Sequence, residues 1–371
     1  MLEALASGIF PGAVCGVAVG PPERRGIFVK AWGRLFAPSL RHPEDQPLRE
    51  DVVFDLASLT KPLATVLAVL CLRRAMGLDW DTPLPSLLDG PIPADKAGIT
   101  LRHLLAHASG LPAHRPYFET LRTLPRGHRK AAIQAAILAE PLDALPGTQA
   151  IYSDLGFLLL GFMLEERLGQ PLDQLVRERV LAPIGLTAAI GFNPIGRPFF
   201  APGTPFAPTE DCPWRGSILR GEVHDDNAHV LGGVAGHAGL FGTAGGVLAL
   251  ATHLLDLVRG RATHPGFSPA DLCLAAQPAH LPPGSPWGLG FDTPSPQGSS
   301  AGRHLSPVSF GHLGFTGTSL WCDPRQDLVI VLLTNRVHPR RDNVLIRDFR
   351  PRFHDAVVAC LQAGGLLPHA G

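Results

Sequence analysis

The chain has 371 residues, enough for two domains or for one large domain carrying an insertion. Apolar residues make up 45% and charged residues 17%, which supports a buried core and excludes a disordered chain. The 32 basic side chains balance 32 acidic ones and the arginines are scattered, so no field favours nucleic acid or an anionic membrane.

Met1-Leu2-Glu3-Ala4-Leu5 lacks the basic start and long apolar core of a signal peptide, so a cytoplasmic location is expected. Residues 12–19 read as a buried strand. Residues 26–34 read as its neighbour across the turn Gly20-Pro21-Pro22. The six cysteines, Cys15, Cys71, Cys212, Cys273, Cys322 and Cys360, form no Cys-x-x-Cys pair. They read as free, mostly buried thiols in a reducing compartment.

Phe54-Asp55-Leu56-Ala57-Ser58-Leu59-Thr60-Lys61-Pro62 places a hydroxyl and an amine three residues apart at a helix start. Residues i and i+3 share a helix face, so Ser58 and Lys61 can point into one cavity. Serine is a poor nucleophile until a neighbour takes its proton, and lysine can do so when its pKa is lowered. The chain has only four lysines, Lys30, Lys61, Lys96 and Lys130, and arginine cannot act as a base. The simpler alternative is that Ser58 caps the helix and Lys61 is a surface charge. Against it, a capping box would put Glu or Gln at position 61, and the macrodipole disfavours a cation there.

Helical periodicity or propensity covers residues 63–77, 100–108, 129–140, 154–168, 171–181 and 246–259. The apolar run Leu63–Leu72 is too short to span a bilayer. His103 and His107 stand at i, i+4, and Val223-His224-Asp225-Asp226-Asn227-Ala228-His229 is rich in ligand types. A His-Glu-x-x-His motif is absent, so these residues read as capping and buried hydrogen-bonding groups, with no metal or other cofactor expected. Asp225 and His237 are candidates for a cleft wall. Tyr152, one of two tyrosines, precedes an apolar helix in Tyr152-Ser153-Asp154-Leu155-Gly156. It reads either as a helix-start packing residue or as a phenol that shuttles a proton beside an ammonium.

Residues 193–222 and 260–310 read as long ordered loops. Within the second, Gly298-Ser299-Ser300-Ala301-Gly302 matches a nucleophile-elbow pattern without the strand and helix that an elbow needs. Phe310-Gly311-His312-Leu313-Gly314-Phe315-Thr316-Gly317 reads either as a glycine-rich edge that a ligand can approach closely or as a glycine-rich turn entering a strand. Ser319–Cys322 and Leu328–Leu333 read as paired strands, and a helix is expected over 346–363. The economical architecture is α/β (α+β): an antiparallel sheet domain from residues 1–68 and 290–371, and a mainly helical insertion over 69–289. A substrate cleft is expected where they meet.

The order Ser58-x-x-Lys61, Tyr152-x-Asp154, His312-x-Gly314 resembles the serine β-lactamase and penicillin-binding protein superfamily. It is most similar to class C β-lactamase-like hydrolases and esterases. The stretches Ile99–Leu111 and Gly232–Ala244 resemble recurring segments of that family. The resemblance implies a β-lactamase/transpeptidase-like fold and an acyl-enzyme on Ser58, with Lys61 and Tyr152 as proton-transfer groups. It further implies that Asp154, His312, Gly314 and Phe315 line the substrate site, the N–H groups of Ser58 and Phe315 forming the oxyanion hole.

Two departures stand out. Asp154 replaces asparagine and could pair with Lys61, raising the lysine pKa. His312 replaces lysine and removes a permanent cation. Both departures, with the absence of a signal peptide, favour a small ester or amide over a β-lactam. A β-lactamase, a D,D-peptidase and a catalytically weak binding or sensor protein are the alternatives.

Overall fold

The computed structural model describes residues 1–368; the last three residues of the expected 290–371 segment lie outside them. Among the described residues ten strands run in chain order: β1 Gly12–Val19, β2 Gly26–Gly33, β3 Phe54–Asp55, β4 Ile190–Phe192, β5 Asp211–Cys212, β6 Ser217–Ile218, β7 Leu240–Gly242, β8 Phe310–Leu313, β9 Ser319–Asp323 and β10 Leu328–Thr334. The main sheet is antiparallel, in the order β2-β1-β10-β9-β8. Its first two strands come from one end of the chain and the other three from the opposite end.

β1 is apolar throughout because both of its faces are covered. Ala13, Cys15, Val17 and Val19 join Trp321, Ile330 and Leu332 in a core under the C-terminal helix Ile346–Ala363, beside Ile346, Phe349, Phe353 and Val358. Val14 and Ala18 face the other way with Val329, Val331 and Leu333, toward the helix Ala244–Val258. Alternation along a strand sends successive side chains to opposite faces, so an unbroken apolar run signals two buried faces. Gly16 faces the second helix; a methyl there would meet Leu248 at 3.3 Å.

Between the chain ends lie the helices Leu67–Met76, Leu101–Leu105, Arg126–Ala139 and Asp154–Leu168. The last is apolar on all sides, and every residue from Leu155 to Leu164 is buried. A helix with no polar face belongs in the interior. Leu160→Ala is expected to cost about 2–5 kcal/mol. A lowered denaturant midpoint at unchanged m-value checks this.

The helix expected over 171–181 is broken up: an α-turn over Leu172–Leu175 widens to a π-turn over Val176–Leu181, then tightens over Ala182–Ile184. Pro183, which has no N–H to donate, lies in this last segment. The helix expected from 129 begins at Arg126, right after Pro125. The loop over 260–310 contains the short helix Pro269–Ala275, and a small sheet β3-β7-β4 runs beside the Ser58 turn. No helix among the described residues is long and apolar enough to cross a membrane.

Candidate active site

β3 ends at Asp55, and three residues later Ser58 opens into a cleft of about 650 Å³. The intervening turn is strained: Ala57 has φ +51°, a region that costs a residue with a Cβ. Asp55 holds it. One carboxylate oxygen accepts from the Ala57 N–H at 2.9 Å, and the other from the His224 N–H at 2.6 Å. Burial pushes the Asp55 carboxyl up, and these two donors oppose the shift.

Ser58 does not act as a helix cap. Its Oγ accepts from Lys61 Nζ at 3.2 Å. Lys61 begins a wide π-turn, Lys61–Val66, that runs into the Leu67–Met76 helix. Its side chain is fully buried, so the surface-charge reading is excluded. Nζ also donates to Asp154 Oδ1 at 2.7 Å and to the His237 carbonyl at 3.4 Å, and lies 4.7 Å from the Tyr152 ring centre.

Burial alone would favour the neutral amine, but Asp154, then Tyr152, outweigh it and hold Lys61 above its ordinary range. Asp154 in turn, despite burial, is held well below the carboxylate range by Lys61 and by His114, whose Nδ1 lies 3.6 Å from Oδ2. The aspartate therefore pairs with the lysine, as one sequence expectation allowed. Asp154→Asn would remove the charge that stabilises the ammonium, so the neutral amine would form at lower pH. The rising limb of the kcat/KM–pH profile is expected to move down by roughly one to three units. A profile that does not move would show that Lys61 ionisation does not limit the reaction.

Tyr152 directly precedes the Asp154–Leu168 helix, whose N-cap is Ser153: Ser153 Oγ accepts from the Gly156 N–H at 3.3 Å and donates to Pro112 O. Burial raises the phenol pKa, and the Lys61 ammonium works against the rise. The ring sits in an aromatic box with His107 at 4.5 Å, Trp287 at 5.3 Å and His312 at 5.8 Å between centres. His107 Nδ1 accepts from the Ser153 N–H at 3.1 Å, which leaves the proton of a neutral ring on Nε2. His103 Nδ1 accepts from the Thr100 N–H and completes a capping box. Among the described residues, no group of three or more His, Cys, Asp or Glu side chains is placed to hold a metal ion.

The opposite wall is β8 and the turn after it. Thr316 Oγ1 donates to Asp55 O at 2.8 Å, and Thr318 Oγ1 donates to Leu56 O at 3.2 Å. These bonds lock the Phe315 segment against the Ser58 turn. Gly314 has no room for a side chain: a Cβ would lie 1.9 Å from Thr318 Oγ1 and 2.7 Å from Leu56 O. Gly314→Ala is expected to displace this turn and lower kcat/KM by roughly 10²-fold, the scale of a 1 Å misplacement. Circular dichroism should show the fold retained.

His312 also lines the cleft. Burial, then the Lys61 ammonium, hold its pKa down at about 3. Asp225 and His237 both line the cleft with His237 Nε2 2.9 Å from Asp225 Oδ1, and Asp225 also caps the helix Asp226–Val230. The Gly298–Gly302 stretch has neither a strand before it nor a helix after it.

The structure thus gathers Ser58, Lys61, Tyr152, Asp154, His312, Gly314 and Phe315 around one cleft. Sequence reasoning missed Asp55, His114 and Trp287, and it noticed His107 without placing it beside Tyr152. The one available signal was Asp55 two residues before Ala57, a spacing at which a carboxylate bonds its own backbone.

The family model described as Beta-lactamase matches residues 8–350. A protein of Escherichia coli (strain K12) named "Putative D-alanyl-D-alanine carboxypeptidase" is 32% identical over 337 residues, 84% of this chain and 76% of that one. The N-acetylmuramyl-L-alanine amidase of Bacillus subtilis (strain 168) is 32% identical over 365 residues, 91% of this chain and 80% of that one. Two solved structures share the fold. EstCE1, a hydrolase with promiscuous acyltransferase activity, has a TM-score of 0.67 at 23% identity, covering 94% of this chain and 96% of its own. The octameric penicillin-binding protein homologue from Pyrococcus abyssi has a TM-score of 0.70 at 17% identity, covering 98% and 76%.

Proposed function

The chain belongs to the beta-lactamase family, and from that premise we propose that it is an esterase-like member that cleaves small esters or amides through an acyl-enzyme on Ser58. The observation that carries this reading is the buried Lys61 ammonium 3.2 Å from Ser58 Oγ, with the Tyr152 ring beside it in an open cleft.

In the proposed reaction, Ser58 Oγ attacks the substrate carbonyl and its proton passes to the Lys61–Tyr152 couple. The bond to the leaving group breaks, and the leaving group departs with a proton from the same couple. Water then attacks the ester on Ser58 and gives up a proton to the couple; the bond between the acyl carbon and Ser58 Oγ breaks, the couple returns that proton to Oγ, and the acid departs. At rest Asp154 keeps Lys61 charged, so the reactive form has one proton fewer on Lys61 and Tyr152 together. Activity is therefore expected to rise with pH.

The names of the two curated relatives support amide substrates. The neutral His312 and the acidic Asp154 weigh against efficient β-lactam turnover. Retention of Ser58, Lys61 and Tyr152 around an open cleft weighs against a degraded sensor.

The test is hydrolysis of a short-chain p-nitrophenyl ester and of a chromogenic cephalosporin, side by side, by wild type and Ser58→Ala. Ser58-dependent ester turnover with little cephalosporin turnover is the expected result. Fast cephalosporin turnover would make the protein a β-lactamase, and turnover retained in Ser58→Ala would overturn the nucleophile.

A further inference from the structure

We infer that His312 selects a leaving group that presents a hydrogen-bond donor, an amide N–H or a hydroxyl, over one that presents a carboxylate. This rests on the acyl-enzyme reading of the same cleft and names the substrate class within it.

His312 is 2% exposed and sits on edge strand β8 with its ring 5.7 Å from Trp287 and 5.8 Å from Tyr152. Its Nδ1 lies 2.7 Å from the Leu313 carbonyl oxygen. A carbonyl only accepts, so Nδ1 carries the proton, and in the neutral ring Nε2 is a lone pair. That Nε2 is buried and has no partner in the protein. A buried acceptor left unsatisfied is costly, and a group that fills the cleft and donates to it removes the cost. Protonating the ring instead would bury a cation near the Lys61 ammonium and the Arg350 guanidinium, which outweigh the Leu313 carbonyl bond and Asp154.

Most side-chain donors on this wall are already engaged, although Arg350 Nε is buried without a partner. Thr316 and Thr318 donate to Asp55 O and Leu56 O. Arg350 donates to Gly314 O at 2.5 Å and Thr318 O at 2.8 Å, and Arg336 to Phe315 O at 2.7 Å. Arg347 lines the cleft exposed on the C-terminal helix, where water and salt screen it, and Arg341, also in the lining, is paired with Glu210 and Asp226. A carboxylate beside Ser58 would therefore face a lone pair. An amide that continues the chain, or a hydroxyl, would face its complement.

The test uses three esters of one acyl group, with glycolamide, methyl glycolate and glycolate as leaving groups. The first offers N–H donors, the second neither donor nor charge, and the third a carboxylate. For wild type, kcat/KM is expected to be highest for glycolamide, lowest for glycolate, and roughly tenfold or more apart at the extremes. His312→Phe should remove the gap between glycolamide and methyl glycolate. His312→Lys should make glycolate the best substrate.

A wild-type preference for glycolate, or a glycolamide gap kept in His312→Phe, would overturn the inference. Labelling by a fluorophosphonate separates the two readings. If Ser58 takes the label while none of the three esters turns over, the substrate class is wrong and the serine hydrolase stands. If Ser58 takes no label and no ester turns over, both fall.

Discussion

Ser58→Ala is expected to lower kcat/KM for any true substrate by at least about 10⁴-fold, the scale seen when a serine nucleophile is removed. The side chain is small and its Oγ meets Lys61 at the edge of the cleft, so little packing is lost. The strained Ala57 turn is held by Asp55, and the next turn is anchored by Thr60 Oγ1 donating to Ala57 O at 2.5 Å; neither uses the serine hydroxyl. The thermal midpoint should therefore stay close to wild type while acylation disappears. What survives would be binding and the backbone donors, which by themselves retain modest catalysis.

Tyr152→Phe should lower kcat by roughly 10²–10⁴, the usual contribution of a positioned acid–base group. The substitution keeps the ring and with it the contacts to His107, Trp287 and His312. Only the hydroxyl is removed. A residue that merely packs ahead of the Asp154–Leu168 helix would tolerate this change without kinetic effect. Steady-state kinetics at matched stability separates the two, because a packing role shifts the midpoint and a proton-transfer role shifts kcat.

Much of this site was legible in the sequence because its parts are local. A hydroxyl and an amine three residues apart at a helix start must share a face, and the structure puts them 3.2 Å apart. The Lys61–Asp154 pair was legible as an alternative, since an acid at position 154 has one obvious cation to meet in this family. β1, β10 and the C-terminal helix were legible because apolar runs and helical periodicity depend on near neighbours in the chain.

The rest depends on contacts that no spacing encodes. Trp287 comes from a loop rich in proline and glycine, yet its ring closes the box around Tyr152. His107 was noticed as half of an i, i+4 pair, but its partner in space is the N–H of Ser153. The two threonine bonds that fix the Phe315 turn join residues 261 and 262 positions apart in the chain. The same limit applies to the broken helix over 172–184, where tertiary packing overrides an even helical propensity.

The most direct test of Ser58 as nucleophile is to inactivate the protein with a fluorophosphonate and locate the added mass by peptide mass spectrometry. The expected result is one adduct, on Ser58, that appears as hydrolase activity is lost and is absent in Ser58→Ala. An adduct on another residue, or turnover that persists with Ser58 fully modified, would contradict the assignment.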